Sequence, residues 1–210
     1  MENELLQYVS STNTSTKNNN EDFFVDFDNL KNINTSCFAW IIVKGTDINY
    51  PVVQASNNSY YLTQSFDNSY NSAGWIYADY KNNCDGTDKN LVIFGHNRRD
   101  GSMFSTLKNI LNKSWYLDEN NYIISLYTPN GLEKYKVFSV YQVNVEDYYI
   151  TTSFASEASY KTFCNNLKNR SIYNFNVDIN GKDNILTLST CSNNNKYRTV
   201  LHAKKIQAAD

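Results

Sequence analysis

Three residues of this chain carry side chains suited to acyl transfer: Cys191, His96 and Arg198. A cysteine is a nucleophile once it is a thiolate, and a histidine is the usual acid and base near neutral pH. A fixed guanidinium can hold a thiolate or a developing oxyanion and orient a substrate carbonyl. Cys191 closes the alternating run Ile185-Leu-Thr-Leu-Ser-Thr-Cys191 and is followed by a polar turn, Ser-Asn-Asn-Asn-Lys. His96 follows the continuously apolar Leu91–Phe94 through Gly95, so both residues stand at strand exits. Arg198 opens the next strand, where a hairpin would set it beside the thiol. A thiol of ordinary pKa about 8.5 and an imidazole of about 6.5 are both charged in under about one molecule in a hundred at pH 7, so turnover is slow unless a site tunes them.

Each residue also has a purely structural reading. Free cysteines are among the most buried residue types, a histidine in a turn is often just a satisfied polar group, and a strand arginine commonly pairs with a carboxylate. The second histidine, His202, shares a strand face with Arg198 by period two and is a rival for the acid role. Four residues along a strand span about 13 Å, too far for proton transfer beside Arg198, so His96 is the favoured acid. Cys37, Cys84 and Cys164 have no catalytic neighbours in sequence. The four cysteines are too widely spaced for a close metal-ligand pair or a dense disulfide framework, so no metal and no cofactor is expected.

The elements that must position these groups are mostly strands. Runs at Phe38–Val43, Tyr50–Gln54, Gly74–Tyr77, Leu91–Phe94, Tyr122–Tyr127, Tyr135–Val145, Ile185–Thr190 and Tyr197–Ile206 are separated by Asn/Asp/Gly/Ser turns. This spacing predicts a barrel or sandwich of about eight strands. Helical periodicity interrupts them at Met103–Leu111 and at Ser156–Leu167, where Tyr160, Phe163, Cys164 and Leu167 fall on one face. Phe23, Phe24, Phe27 and Leu30 predict an amphipathic helix over 21–33, and the polar, low-complexity residues 10–20 a linker, with 1–20 flexible as a whole. The 210 residues suit one domain over 21–210. Asparagine is abundant, with 33 residues, while 17 Tyr and 11 Phe must supply much of the core. A net charge of -2 without long runs of either sign argues against nucleic acid as a partner.

Together these residues resemble the sortases, class B in particular. The resemblance rests on Thr187-Leu-Ser-Thr-Cys191 with Arg198 downstream, Phe94-Gly-His-Asn97 and Gly101-Ser-Met-Phe104. It extends through Phe27-Asp-Asn-Leu30, Ile48-Asn-Tyr-Pro-Val-Val-Gln54, Tyr60-Tyr-Leu62, Asp147-Tyr-Tyr-Ile150 and the helix at 156–167, in the order the class has them, over roughly residues 22–206. It implies a mainly β fold: an eight-stranded closed barrel with an N-terminal helical subdomain and a helix in the loop between the sixth and seventh barrel strands. It further implies a monomeric cysteine transpeptidase at the extracellular face of the plasma membrane of a Gram-positive bacterium, held by an anchor preceding Met1. Such an enzyme cleaves secreted proteins after the Thr of a C-terminal sorting signal and passes the acyl group to an amine of a peptidoglycan precursor or a pilin. By the resemblance, Cys191 is the nucleophile, His96 the acid and base, and Arg198 an oxyanion ligand. Asn58, Leu62, Tyr149, Ile150, Ser189 and Thr190 would contact the signal, although Tyr149 reads equally well as a core aromatic. Ser192 departs from the acidic residue that often follows the cysteine, and the turn to Arg198 is shorter than in several relatives. The alternatives are another cysteine acyl transferase or hydrolase, such as an L,D-transpeptidase or a papain-like enzyme, and a non-catalytic surface β-barrel that binds a ligand.

Overall fold

The structure, a computed structural model, describes residues 2–12, 22–192 and 196–206. Two short strands, β1 (Val9–Thr12) and β2 (Asp22–Val25), pair with each other. Eight further strands close into a barrel: β3 (Cys37–Val43), β4 (Ile48–Gln54), β5 (Tyr77–Ala78), β6 (Asn90–Phe94), β7 (Ile123–Thr128), β8 (Gly131–Asn144), β9 (Ile185–Ser192) and β10 (Tyr197–Ile206). Around the barrel the order is β10-β8-β7-β3-β4-β5-β6-β9, and only the β4–β5 and β6–β9 pairs are parallel. The third barrel strand is shorter than its apolar run suggests. Trp75 and Ile76 are buried but lie outside the ladder, where Trp75 donates its backbone N–H to the carbonyl of Tyr61. The helices are α1 (Glu2–Leu5), α2 (Phe27–Ile33), α3 (Lys113–Leu117) and α4 (Glu157–Asn169), with 3₁₀ turns between elements.

The strands that carry the site have two buried faces. Leu186, Leu188 and Thr190 of β9 pair with Ala203, Leu201 and Thr199 of β10 on the inner face of the barrel. Ile185, Thr187 and Ser189 alternate with them and point outward. Outward positions normally meet water, but here they lie under the long connection between β8 and β9. This connection holds a 3₁₀ turn at Tyr148–Ile150 and the helix α4. Ser156 caps α4 in a reciprocal hydrogen-bond box with Ser159, and Tyr160, Phe163, Cys164 and Leu167 form its buried stripe. Ser139 on the outward face of β8 donates to the carbonyl of Leu167, which seats the helix on the barrel.

Three expectations are corrected. Residues 21–33 are not one helix: β2 pairs with β1, and α2 starts only at Phe27 and runs to Ile33. Asp26 divides them by accepting the backbone N–H of Asn29 as the helix cap, so Phe23 packs on Tyr127 while Phe24 stays 62% exposed. The N-terminal stretch is also structured over 2–12, because α1 buries Leu5 and β1 finds a strand partner, while residues 13–20 of the expected linker lie outside the described residues. Finally, the helix expected at Met103–Leu111 is a 3₁₀ helix from Ser105 to Leu111, followed by the short α3.

Candidate active site

The two strand exits singled out in the sequence meet on neighbouring strands. Arg198 is the direct cross-strand partner of Cys191 in the β9–β10 ladder. On the other flank of β9, the parallel β6 ladder pairs Phe94 with Ser189, and Gly95 donates its N–H to the carbonyl of Ser189. His96 follows Phe94 by two residues, just as Cys191 follows Ser189. Strand partners sit about 5 Å apart, so positions 191 and 198 are neighbours at one end of the barrel, beside the turn that carries His96. The backbone of Cys191 is described and its side chain lies outside the described atoms.

His96 is firmly placed. Its Nε2 lies 2.9 Å from the carbonyl of Leu62, an atom that only accepts, so Nε2 carries a proton. Nδ1 is the nitrogen left for chemistry. The backbone carbonyl of His96 accepts from Phe104, which locks the turn after β6. Two glycines make room. Gly74 holds φ at +60°, and a Cβ there would stand 2.4 Å from the carbonyl of Tyr61 and 2.9 Å from Cδ2 of His96. At Gly95 a Cβ would run into Ile76 and Phe104. Arg198 is half-buried and donates from Nη1 to the carbonyl of Tyr197 at 3.1 Å.

The remaining expected site residues divide by exposure. Asn58 and Ile150 are half-buried and Leu62 is 38% exposed, and these three flank β6 from opposite sides. Asn58 donates to Asp79 and accepts from the backbone of Tyr80, while Asp79 donates its N–H to the carbonyl of Val92. On the far side, Asn90 of β6 donates to the carbonyls of Tyr149 and Thr151, which bracket Ile150. Tyr149, Ser189 and Thr190 are buried, at 2%, 1% and 3% exposed, and for Tyr149 this is the core-aromatic reading. The hydroxyls of Tyr149 and Ser189 are 3.0 Å apart and hydrogen-bond each other under the connection, and Thr190 faces the barrel interior.

His202 is fully buried and belongs to a different structure. Thr187 donates its one hydroxyl proton to Asn90 at 2.6 Å, so its contact with Nδ1 of His202 at 2.8 Å must run the other way, from Nδ1–H to oxygen. Nε2 then accepts from Tyr141 at 2.9 Å. Burial, helped by the nearby Arg170 cation, pushes His202 down to about 3, so it stays neutral and is no acid for the site. The chain Tyr141, His202, Thr187, Asn90 and the 149–151 backbone instead clamps the β8–β9 connection to the barrel. Sequence reasoning missed this clamp and also the Leu62 carbonyl and Gly74. A buried polar run in two facing strands and a glycine within Ser72-Ala-Gly-Trp75 were the available signals.

Burial raises the thiols of Cys37 and Cys84 to about 12 and that of Cys164 to about 11, which makes all three poor nucleophiles. Among the described residues no cluster of His, Cys, Asp and Glu could hold a metal ion.

The family model for the sortase domain matches residues 41–206. Sortase B of Listeria monocytogenes is 34% identical over 203 residues, covering 94% of this chain and 81% of that protein. The chain belongs to the sortase family, class B. Clostridium perfringens sortase B superposes with a TM-score of 0.81 at 35% identity, covering 87% of this chain and 100% of that one. Staphylococcus aureus sortase B, solved as a substrate complex, gives 0.80 at 34% identity, covering 87% of this chain and 85% of that one. A sortase B complexed with triglycine gives 0.80 at 34%, covering 87% and 86%. The chain is therefore a sortase transpeptidase, built on the closed eight-stranded barrel its sequence predicted.

Proposed function

We propose that this sortase cleaves a C-terminal sorting signal after Thr and transfers the acyl group to an amine of the cell wall, with Cys191, His96 and Arg198 as its catalytic residues. The single observation that supports this assignment is the register of β9, which pairs Cys191 with Arg198 on one flank and Ser189 with Phe94, two residues before His96, on the other.

Cys191 attacks the Thr carbonyl as a thiolate, and the Arg198 guanidinium holds the oxyanion of the tetrahedral adduct. His96 keeps its Nε2 proton on the Leu62 carbonyl, so the proton it exchanges is the one on Nδ1. That proton passes to the leaving amine as the C–N bond breaks and the thioester forms. Nδ1 then takes a proton from the incoming amine as it attacks the thioester, which expels the thiolate and restores the enzyme. Asn58, Leu62 and Ile150 line the groove for the signal, while Tyr149 and Ser189 fix its wall from beneath. The substrate complex of the S. aureus enzyme and the triglycine complex of a sortase B favour a peptide signal and an amine acceptor here. The reaction belongs at the extracellular face of the plasma membrane, where secreted proteins and cell-wall precursors meet.

The test is a panel of fluorogenic signal peptides, of Asn-Pro-Gln-Thr-Asn and Pro-x-Thr-Gly types, each supplied with an amine such as triglycine. The expected product is an amide joining the fragment that ends in Thr to the amine, and Cys191→Ala should form none. Residual cleavage by Cys191→Ala would end the assignment.

A further inference from the structure

The groove does not stop at the residues assigned to the signal. Tyr80, whose N–H Asn58 accepts, on one wall and Thr151 on the other each continue by a neighbouring residue into a cleft of about 630 Å³, and Asn90, buried beneath them, ties the carbonyl of Thr151 to the barrel. Lys81 and Asn83 extend the first wall, Lys89 the floor, and Thr152 to Phe154 the second. Lys182 and the first turn of α4 close the far end.

The cleft is cationic. Lys81 lies 5.6 Å from the Tyr80 ring, and Lys89 lies 5.3 Å from the Tyr160 ring and donates to the carbonyl of Lys182. Among the described residues none of these three ammonium groups is paired with a carboxylate. Of the two acids in the lining, Asp88 is turned into its own loop, where it accepts the N–H groups of Asn83 and Cys84. Glu157 packs against Gly181, where a Cβ would stand 2.3 Å from its Cγ. The first turn of the 13-residue α4 lines the cleft with Ser156 and Glu157, so three lysines face two acids and the net charge of the lining is positive.

From the level of His96 down to Lys89 is seven residues of strand, or about 23 Å, whereas a four-residue signal spans about 13 Å. A peptide with its scissile bond at Cys191, lying past Leu62, Asn58 and Ile150, therefore reaches the cleft with the few residues that precede the signal. We propose that this cleft is an extension subsite that takes acidic side chains in the substrate stretch immediately N-terminal to the sorting signal. The inference rests on the function proposed above and adds a second determinant of substrate choice.

The experiment compares one signal peptide preceded by three glutamates, three lysines or a neutral Gly-Ser spacer. The glutamate peptide should show a kcat/KM roughly tenfold above the lysine peptide at low salt, carried by KM and fading as ionic strength rises. In Lys81→Glu/Lys182→Glu the order should invert. Equal kcat/KM for both charged peptides would overturn the proposal, as would a preference untouched by the double substitution. So would a preference seen only when the charges follow the scissile bond. Failure to cleave even the neutral peptide would instead refute the sorting-signal reading itself, and the salt series on the unmodified enzyme keeps the test independent of how the variant folds.

Discussion

The chain has two histidines, and the regions that hold them are opposites. His96 sits half-buried at a strand exit with one ring nitrogen tied to a carbonyl and the other free of described partners. His202 sits midway along β10, in a sealed layer between barrel and connection, with both ring nitrogens engaged. The same side chain is a proton carrier in one place and a neutral clamp in the other. What separates them is solvent and the number of fixed partners, for an imidazole that must gain and lose protons needs a nitrogen that nothing else claims.

Substituting each histidine should break the symmetry in opposite directions. His96→Ala should lower transpeptidation by about 10²–10⁴-fold, with a melting temperature close to that of the parent, as peptide assays and calorimetry would register. Retained activity would remove His96 from the chemistry. His202→Ala should destabilise the fold by about 3 kcal/mol in urea denaturation, since it leaves a cavity and removes the acceptor of the buried Tyr141 hydroxyl. Part of its activity should survive as a raised KM, because the wall at 149–151 loosens while the three reacting groups remain. A variant as stable as the parent would show that the clamp carries no weight.

The pH dependence of stability sharpens the contrast. His202 is held down to about 3 in the folded state, so its unfolded form binds a proton near pH 6.5 that the folded form refuses. Its contribution is therefore fully present above about pH 6.5 and is lost as the pH falls from there toward 3, by up to about 1.4 kcal/mol per unit. Denaturation curves of His202→Gln should lack this part of the slope, and an unchanged slope would mean that other groups cause it. The smallest effect concerns the thiols. A maleimide at neutral pH should label Cys191 first and leave the buried Cys37 and Cys164 untouched until unfolding, which mass spectrometry of digests would read.

Much of the molecule was readable before folding. Eight apolar runs became eight barrel strands, Tyr160, Phe163, Cys164 and Leu167 became the buried stripe of α4, and the seven-residue step from Cys191 to Arg198 became a direct cross-strand pair. The failures share a cause. Phe23, Phe24, Phe27 and Leu30 have helical spacing, but β1 offered Asp22–Val25 a strand partner that periodicity cannot see, and Asp26 capped what remained. Ser189 falls on the outward face of its strand and reads as exposed until the β8–β9 connection covers it.

Local order set the alternation of each strand, the helix cap at Ser156 and the chemical kinds of residue available, because these depend on neighbours a few positions apart. Barrel closure decided which strands would lie side by side, and so which of two imidazoles would reach water and which would be walled in. Desolvation and pairing are properties of the space around a group, and that space is filled by residues distant in the chain.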